Sequence, residues 1–291
     1  MPPSQSTSFP LNPKDYDLSA TLDSGQAFGW TQSETGTWTG VIGCHWVQLS
    51  QSNDHIHAQT CLPQKDWHWL SDYLQLHFNL KEAIHTFPAD APLEIATRNY
   101  PGLHLLRQDP WTCLASFILS STKQIVQIQQ VYHLLCQQYG APVPTPPHLP
   151  QAHTFPTPQA LAHAGETALR DCRMGFRAKY LHQTATQIAN GNVSLESLRS
   201  LPLNEARRIL TCLPGVGPKI ADCALLFSCD QPRAFPIDVW IARTLRNLYF
   251  KGQPTSLPKL QDFAEQHFGP FAGLAQQYLF HEARRPKQPK H

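Results

Sequence analysis

The chain has 291 residues, 41% hydrophobic and 15% charged, with a formal net charge of +2; that length buries a substantial core in two or three subdomains, and with no signal peptide and no apolar run near 20 residues a secreted or membrane-spanning protein is not expected. The charge is unevenly divided: residues 1–100 hold 4 Lys/Arg against 10 Asp/Glu, a net of −6, and residues 101–291 hold 19 against 11, a net of +8, so only the second part has the balance of a polyanion binder. Eight cysteines, at 44, 61, 113, 136, 172, 212, 223 and 229, contain no C-x-x-C pair, which argues against a zinc or iron–sulfur site and, in a reducing compartment, against a disulfide framework.

Residues 1–13 are rich in Pro and Ser and are expected to be loose. Between Gln26 and Thr60 the runs TWTGVI, WVQLS and HIHAQ, separated by SETG, GCH and QSND, predict an antiparallel meander, the heart of a sheet domain over residues 1–95. Just before it, Ser24-Gly25-Gln26 reads as a turn into a strand. From Asp66 the pattern becomes helical, with Trp67, Leu70 and Leu74 on one face. Asp109-Pro110 supplies an N-cap and a first-turn proline for a helix to about Ser120, and a second helix from about Lys123 carries Ile125, Ile128, Val131 and Leu135 until Gly140 ends it. Seven prolines between Pro142 and Pro158 predict a stiff, irregular surface loop over 141–158. It interrupts a mostly helical domain over 96–283. The fold class is α+β, an N-terminal antiparallel sheet domain followed by a helical one. Arg173, Arg177 and Lys179 surround Phe176, a pattern that fits a solvated basic face around a core phenylalanine as well as a working surface. The end of the chain, 284–291, reads RRPKQPKH, a basic tail.

The most informative stretch is LPGVGPKIADCALLFSCDQPRAFPID, from Leu213 to Asp238. Gly215 and Gly217 flank Val216 in a turn too tight for side chains, so backbone N–H groups point outward together at the start of the next helix, a site suited to a phosphate. Asn204 is expected to cap the preceding helix, which runs to about Cys212 and gives a helix-hairpin-helix over about 204–228. Pro218 belongs at the first helical position, which puts Lys219 in the first turn. An ammonium is disfavoured at that end of a helix dipole, as suits a nucleophilic amine. Asp238, nineteen residues further on, sits at the N-cap of a helix from about Val239; capping uses one carboxylate oxygen, so a chemical role can coexist with it. Near the end, Gln276 and Phe280 share a helix face, as do Lys219 and Cys223. Either pair alone reads as readily as a packing stripe.

The segments LDSGQAFGW, PGLHLLRQDPWTCLASFILSS, MGFRAKYL, LPGVGPKIADC, FPIDV and GPFAGLAQQYLF occur in that order between about Tyr16 and Phe280. In this the chain resembles the helix-hairpin-helix DNA glycosylases with the Gly/Pro-Asp signature, and within them the 8-oxoguanine DNA glycosylases. The resemblance implies a bifunctional glycosylase and AP lyase that flips 8-oxoguanine out of duplex DNA, with Lys219 as Schiff-base nucleophile and Asp238 as catalytic carboxylate. It implies that the Gly25 carbonyl accepts from the N7–H that guanine lacks, that Cys223 and Phe280 sandwich the base, and that Gln276 binds its Watson–Crick edge. It makes Phe176 the wedge and Arg177 the reader of the opposite cytosine, and it places a phosphate, with a structural monovalent cation, at Gly215, Val216 and Gly217. No cofactor is required, and the expected partner is duplex DNA containing 8-oxoguanine, met by a monomer in the bacterial cytoplasm or the nucleus. No cysteine follows Cys229, which excludes the four-cysteine cluster of some superfamily members.

Three positions depart from the eukaryotic pattern of that family. Thr122-Lys123-Gln124 replace a run of three asparagines, Gln127 replaces a second cytosine-reading arginine, and Trp240 replaces a histidine two residues after the aspartate. Opposite-base reading is therefore expected to be weaker than lesion reading. A noncatalytic helix-hairpin-helix DNA-binding module would leave Lys219 and Asp238 without a purpose. An alkylated-base glycosylase on the same fold would generally lack the lysine.

Overall fold

The computed structural model describes residues 4–12, 14–120 and 124–285. Alternation in HWVQLSQ and HIHAQT buries Val47, Leu49, Ile56 and Ala58 on one face, and period-2 patterning of this kind builds a sheet with one face on the core. The sheet has five antiparallel strands in the order β1-β5-β4-β3-β2, namely β1 (Gln5–Pro10), β2 (Thr31–Gln32), β3 (Trp38–Ile42), β4 (His45–Gln51) and β5 (His55–Thr60). Leu49 is opposite both Trp38 and Ala58, and the buried face closes on Leu18, Leu22, Leu70 and Leu74 from two short helices. The α+β fold class read from the sequence is the one observed.

Two local expectations are overturned. Residues 5–10, expected to be loose, form edge strand β1, with Phe9 opposite Ile56 and Thr7 opposite Ala58. The pairing partner lies about fifty residues downstream, so nothing local announces it, and Pro10 is tolerated because it closes an edge strand. The proline-rich segment carries a small ladder, Pro142–Val143 against Ala152–His153, and Val143 is buried with Trp46 and Cys61 of the sheet domain.

In the helical part, Asp109 caps the Pro110–Leu119 helix by accepting from Thr112 N at 2.7 Å. The helix-hairpin-helix consists of Leu203–Thr211 and Pro218–Ser228. The first of these has Pro202, not Asn204, at its N-cap; Asn204 lies inside the first turn and accepts from Arg207 Nη1 at 2.7 Å. Arg207 also pairs with the buried Asp222 at 2.7 Å, locking the two helices together. Leu114, Phe117 and Ile118 pack with Ile220, Ala224 and Phe227 in one core. A second core joins Leu80, Leu93 and Ala96 to Leu245, Phe268 and Tyr278, and so ties the first part of the chain to the final helix, Ala272–Ala283.

That second core brings the Ser24-Gly25 turn against the final helix. Gln277 Nε2 donates to the Ser24 carbonyl at 2.9 Å. Beside it the fully buried Gln26 donates from Nε2 to the His104 carbonyl and accepts at Oε1 from Leu106 N, at 2.9 and 2.7 Å. A satisfied buried network of this kind holds a turn rigidly.

Candidate active site

A cavity of about 410 Å³ opens where this turn, the N-terminal ends of the Ile125–Tyr139 and Pro218–Ser228 helices and the final helix converge. Lys219 and Asp238 both line it, with Gly25, Cys223, Gln276 and Phe280. Residues separated by more than 250 positions in the chain thus face one space.

The hairpin sets Lys219 in place. Leu213 O accepts from Val216 N at 3.1 Å, and Gly215 has φ +76°, where a Cβ would stand 2.6 Å from Tyr180 Cβ; glycine is required there. Gly217 differs from the expectation for it. Its φ of −88° suits any residue, and a Cβ would meet nothing within 4 Å. Val216 is buried, and its N–H is already engaged by the Leu213 carbonyl. The Pro218–Ser228 helix has no side-chain cap, which leaves its first-turn N–H groups open to an anion.

Lys219 Nζ donates to Ser120 Oγ at 3.1 Å and stands 4.8 Å from the Phe117 ring centroid. Asp238 caps the Val239–Tyr249 helix through Oδ1, which accepts from Ile241 N at 2.7 Å. One turn on from Lys219, burial pushes the Cys223 thiol up to about 12 against the opposing influence of the lysine, so this wall is a neutral thiol. On the final helix Gln276 is buried and its Oε1 has no hydrogen-bond partner among the described residues. A buried acceptor left this way is costly unless a ligand satisfies it. Gly25 has φ +79°, and a Cβ there would crowd Ile125 Cδ1 at 3.1 Å and Phe280 Cε1 at 3.3 Å.

Two further residues of the lining carry charge or a large ring. Trp240, half exposed, reaches the cavity with the Arg243 guanidinium 5.7 Å from its ring. Arg284, expected in a basic tail, ends the final helix, lines the cavity and lies 5.3 Å from the Phe280 ring centroid. The sequence signal for it was its spacing, four residues beyond Phe280 and eight beyond Gln276.

The other predicted residues that fall among the described ones lie outside this cavity's lining. Phe176 is 57% exposed and Arg177 only 5%, with its guanidinium 4.5 Å from the Phe176 ring centroid; burial lowers the arginine from its ordinary value. The turn before them has positive φ at Arg173 and Gly175. Gln127 is engaged in its own helix terminus, a capping box in which its Oε1 accepts from Gln124 N at 3.1 Å. Thr122 lies outside the described residues. Among the described residues no group of three or more His, Cys, Asp or Glu is placed to hold a metal ion, and no helix is long and apolar enough to cross a membrane.

A first-turn lysine just after a glycine hairpin, facing one cavity with a capping aspartate, beside a small antiparallel sheet, defines the helix-hairpin-helix class of base-excision proteins. The profile described as HhH-GPD superfamily base excision DNA repair protein matches residues 115–265, and that described as 8-oxoguanine DNA glycosylase, N-terminal domain, matches residues 8–114. The chain is 33% identical over 292 residues to the Arabidopsis thaliana N-glycosylase/DNA lyase OGG1, covering 93% of this chain and 78% of that one. It superposes with a TM-score of 0.88 on the Clostridium acetobutylicum 8-oxoguanine glycosylase/lyase in complex with double-stranded DNA containing cytosine opposite 8-oxoG, at 30% identity over 96% and 97% of the two chains. Against MBOgg1 in complex with a low-affinity DNA ligand the TM-score is 0.90, at 33% identity over 96% and 95%. The chain belongs to the 8-oxoguanine N-glycosylase/DNA lyase family.

Proposed function

We propose that this protein excises 8-oxoguanine from duplex DNA and then cleaves the strand, with Lys219 as nucleophile and Asp238 as the carboxylate that supports it. The observation that carries the reading is the shared opening of Lys219, Asp238 and the unpartnered Gln276 Oε1 on one cavity. A base within a duplex is beyond the reach of an amine, so the nucleotide is extruded, at a cost of a few kcal/mol. Stacked between Phe280 and the Cys223 thiol, guanine's N1–H and N2–H give Gln276 Oε1 the donors it lacks, and the Gly25 carbonyl accepts from N7–H. Lys219 Nζ, held by Ser120, attacks C1′ as the C1′–N9 bond breaks. The base leaves with one proton from the lysine nitrogen, the C1′–O4′ bond opens as O4′ takes the second, and the resulting Schiff base acidifies the 2′ proton, whose removal expels the 3′ phosphate. Asp238 stabilises positive charge developing on the sugar.

The hairpin Gly215-Val216-Gly217 and the first-turn N–H groups that follow it hold a phosphate of the same strand. The hairpin carbonyls, neutral oxygen donors, would hold a structural monovalent cation, and base excision and strand cleavage need no cofactor. Phe176 fills the gap left by the flipped base, and Arg177 donates to the estranged cytosine. The protein acts as a monomer where the cell keeps its DNA, in the bacterial cytoplasm or the nucleus.

The test is one incubation with a duplex bearing 8-oxoguanine opposite cytosine, with and without borohydride. Base release, strand cleavage and a covalent adduct that maps to Lys219 are expected. Base release without cleavage or adduct would move the protein to the alkylated-base type of glycosylase.

A further inference from the structure

We infer that Arg284 is a specificity residue for the lesion, donating a hydrogen bond to the 8-oxo oxygen itself; the inference rests on the proposed reading of the pocket. Three observations converge on it. Arg284 Nη1 is buried and has no hydrogen-bond partner among the described residues. It stands 3.3 Å from where a Cβ on Gly25 would be, beside the backbone proposed to read N7–H. Its guanidinium lies 5.3 Å from the ring of Phe280, the proposed stacking platform.

The final helix presents these groups in sequence. Gln276, Phe280 and Arg284 recur every four residues on one face, so the cavity meets an orphaned acceptor, then a flat ring, then an orphaned donor. Eight residues of helix span about 12 Å, and two hydrogen bonds take about 6 Å of that. The remainder matches a purine measured from its Watson–Crick edge to a substituent on C8. With the Watson–Crick edge at Gln276, O6 belongs to that end of the base. The atom next to N7 on the far side is C8. In 8-oxoguanine it bears a carbonyl, which accepts a charge-assisted hydrogen bond from the guanidinium. In guanine it bears a hydrogen, and the buried donor stays unsatisfied. Discrimination then has two sources on adjacent atoms, N7–H against the Gly25 carbonyl and O8 against Arg284.

The experiment compares wild type, Arg284→Met and Arg284→Lys by single-turnover kinetics on two duplexes, one with 8-oxoguanine opposite cytosine and one with an abasic site opposite cytosine. The abasic duplex has no base to read. Arg284→Met is expected to lower the ratio of the 8-oxoguanine rate to the abasic rate about 10- to 100-fold, the worth of a buried charge-assisted hydrogen bond. Arg284→Lys, which keeps a donor, recovers part of it. An unchanged ratio in both variants, whether because neither rate falls or because both fall together as a phosphate contact requires, overturns the assignment. Failure of the wild type to excise 8-oxoguanine at all would instead overturn the reading of the pocket beneath it.

Discussion

The cavity and the Phe176-Arg177 corner, the two regions proposed to read the two bases of one pair, are built in different ways. Around the cavity the groups sit on helices and on a turn fixed by the buried Gln26, and two of them, Gln276 and Arg284, carry buried polar atoms that await a partner. At the corner, Phe176 projects into solvent from a turn with positive φ, while Arg177 is folded away beneath it. On the proposed reading, lesion recognition is preorganised, whereas partner reading needs Arg177 to leave its buried place. The cost of that movement is subtracted from whatever the contact with cytosine contributes.

The comparison is sharpest at the reacting groups. Lys219→Gln is expected to lower base excision by about 10⁴-fold or more and to abolish borohydride trapping, as removal of a nucleophile does. Affinity for the lesion duplex changes little, since hairpin and pocket remain. Persistent trapping in this variant would place the nucleophile elsewhere. Asp238→Asn should slow turnover by about 10²- to 10³-fold, the scale for losing a preorganised electrostatic group, with the fold retained because asparagine also caps helices. Near-normal turnover would reduce Asp238 to its bond with Ile241 N.

Gly25→Ala probes how rigid the lesion pocket is. The methyl meets Ile125 and Phe280 at 3.1 and 3.3 Å on a backbone with φ +79°, so either the turn or the stacking ring must shift. Lesion discrimination is expected to fall by about 1–3 kcal/mol, the penalty for one buried group left unpaired, with general DNA binding less affected. Equal excision of guanine and 8-oxoguanine by the wild type would break the pocket assignment at its root.

What the sequence showed of this arrangement follows the range of the forces involved. Asp109-Pro110 and Asp238 were legible because an N-cap is a contact over three residues. The meander was legible because period-2 burial is written along each strand. Strand β1 was not, because its partner is β5, far along the chain. Arg284 was read as part of a basic tail because the composition of RRPKQPKH hid its place on the face of Gln276 and Phe280. The burial of Arg177 has no sequence signal at all. The engagement of Gln127 did have one, since Gln124 and Gln127 stand at N-cap and N3 of a helix whose start was only approximately placed.

The opposite-base corner is tested by single-turnover rates with C, A, G or T facing 8-oxoguanine. Each good base contact is worth about 1–3 kcal/mol of discrimination. On the proposed reading Arg177 supplies one such contact after rearrangement, and Gln127, engaged in its capping box and lacking an arginine's fork, supplies none. The wild type should excise opposite C yet reject the other three less strongly than relatives with both arginines, and Arg177→Ala should flatten the preference further. A steep preference for C that survives Arg177→Ala would show that another residue reads the partner base.

The smallest expected effect separates the two hairpin glycines. Gly215 is bound to its conformation, with φ +76° and Tyr180 Cβ at 2.6 Å from any Cβ, so Gly215→Ala should destabilise the fold. Gly217, at φ −88° with open space around it, places no such demand on the free protein. Gly217→Ala should stabilise the free protein by about 0.4–1 kcal/mol, because alanine has less freedom to lose on folding. The same methyl stands at the N-cap, where the proposed phosphate approaches the first-turn N–H groups, so affinity for undamaged duplex should fall as stability rises. Thermal melting and a duplex titration at fixed salt read the two signs separately. A Gly217→Ala variant destabilised as much as Gly215→Ala would show that the hairpin needs both glycines to fold, and would remove the hairpin from the surfaces formed before DNA arrives.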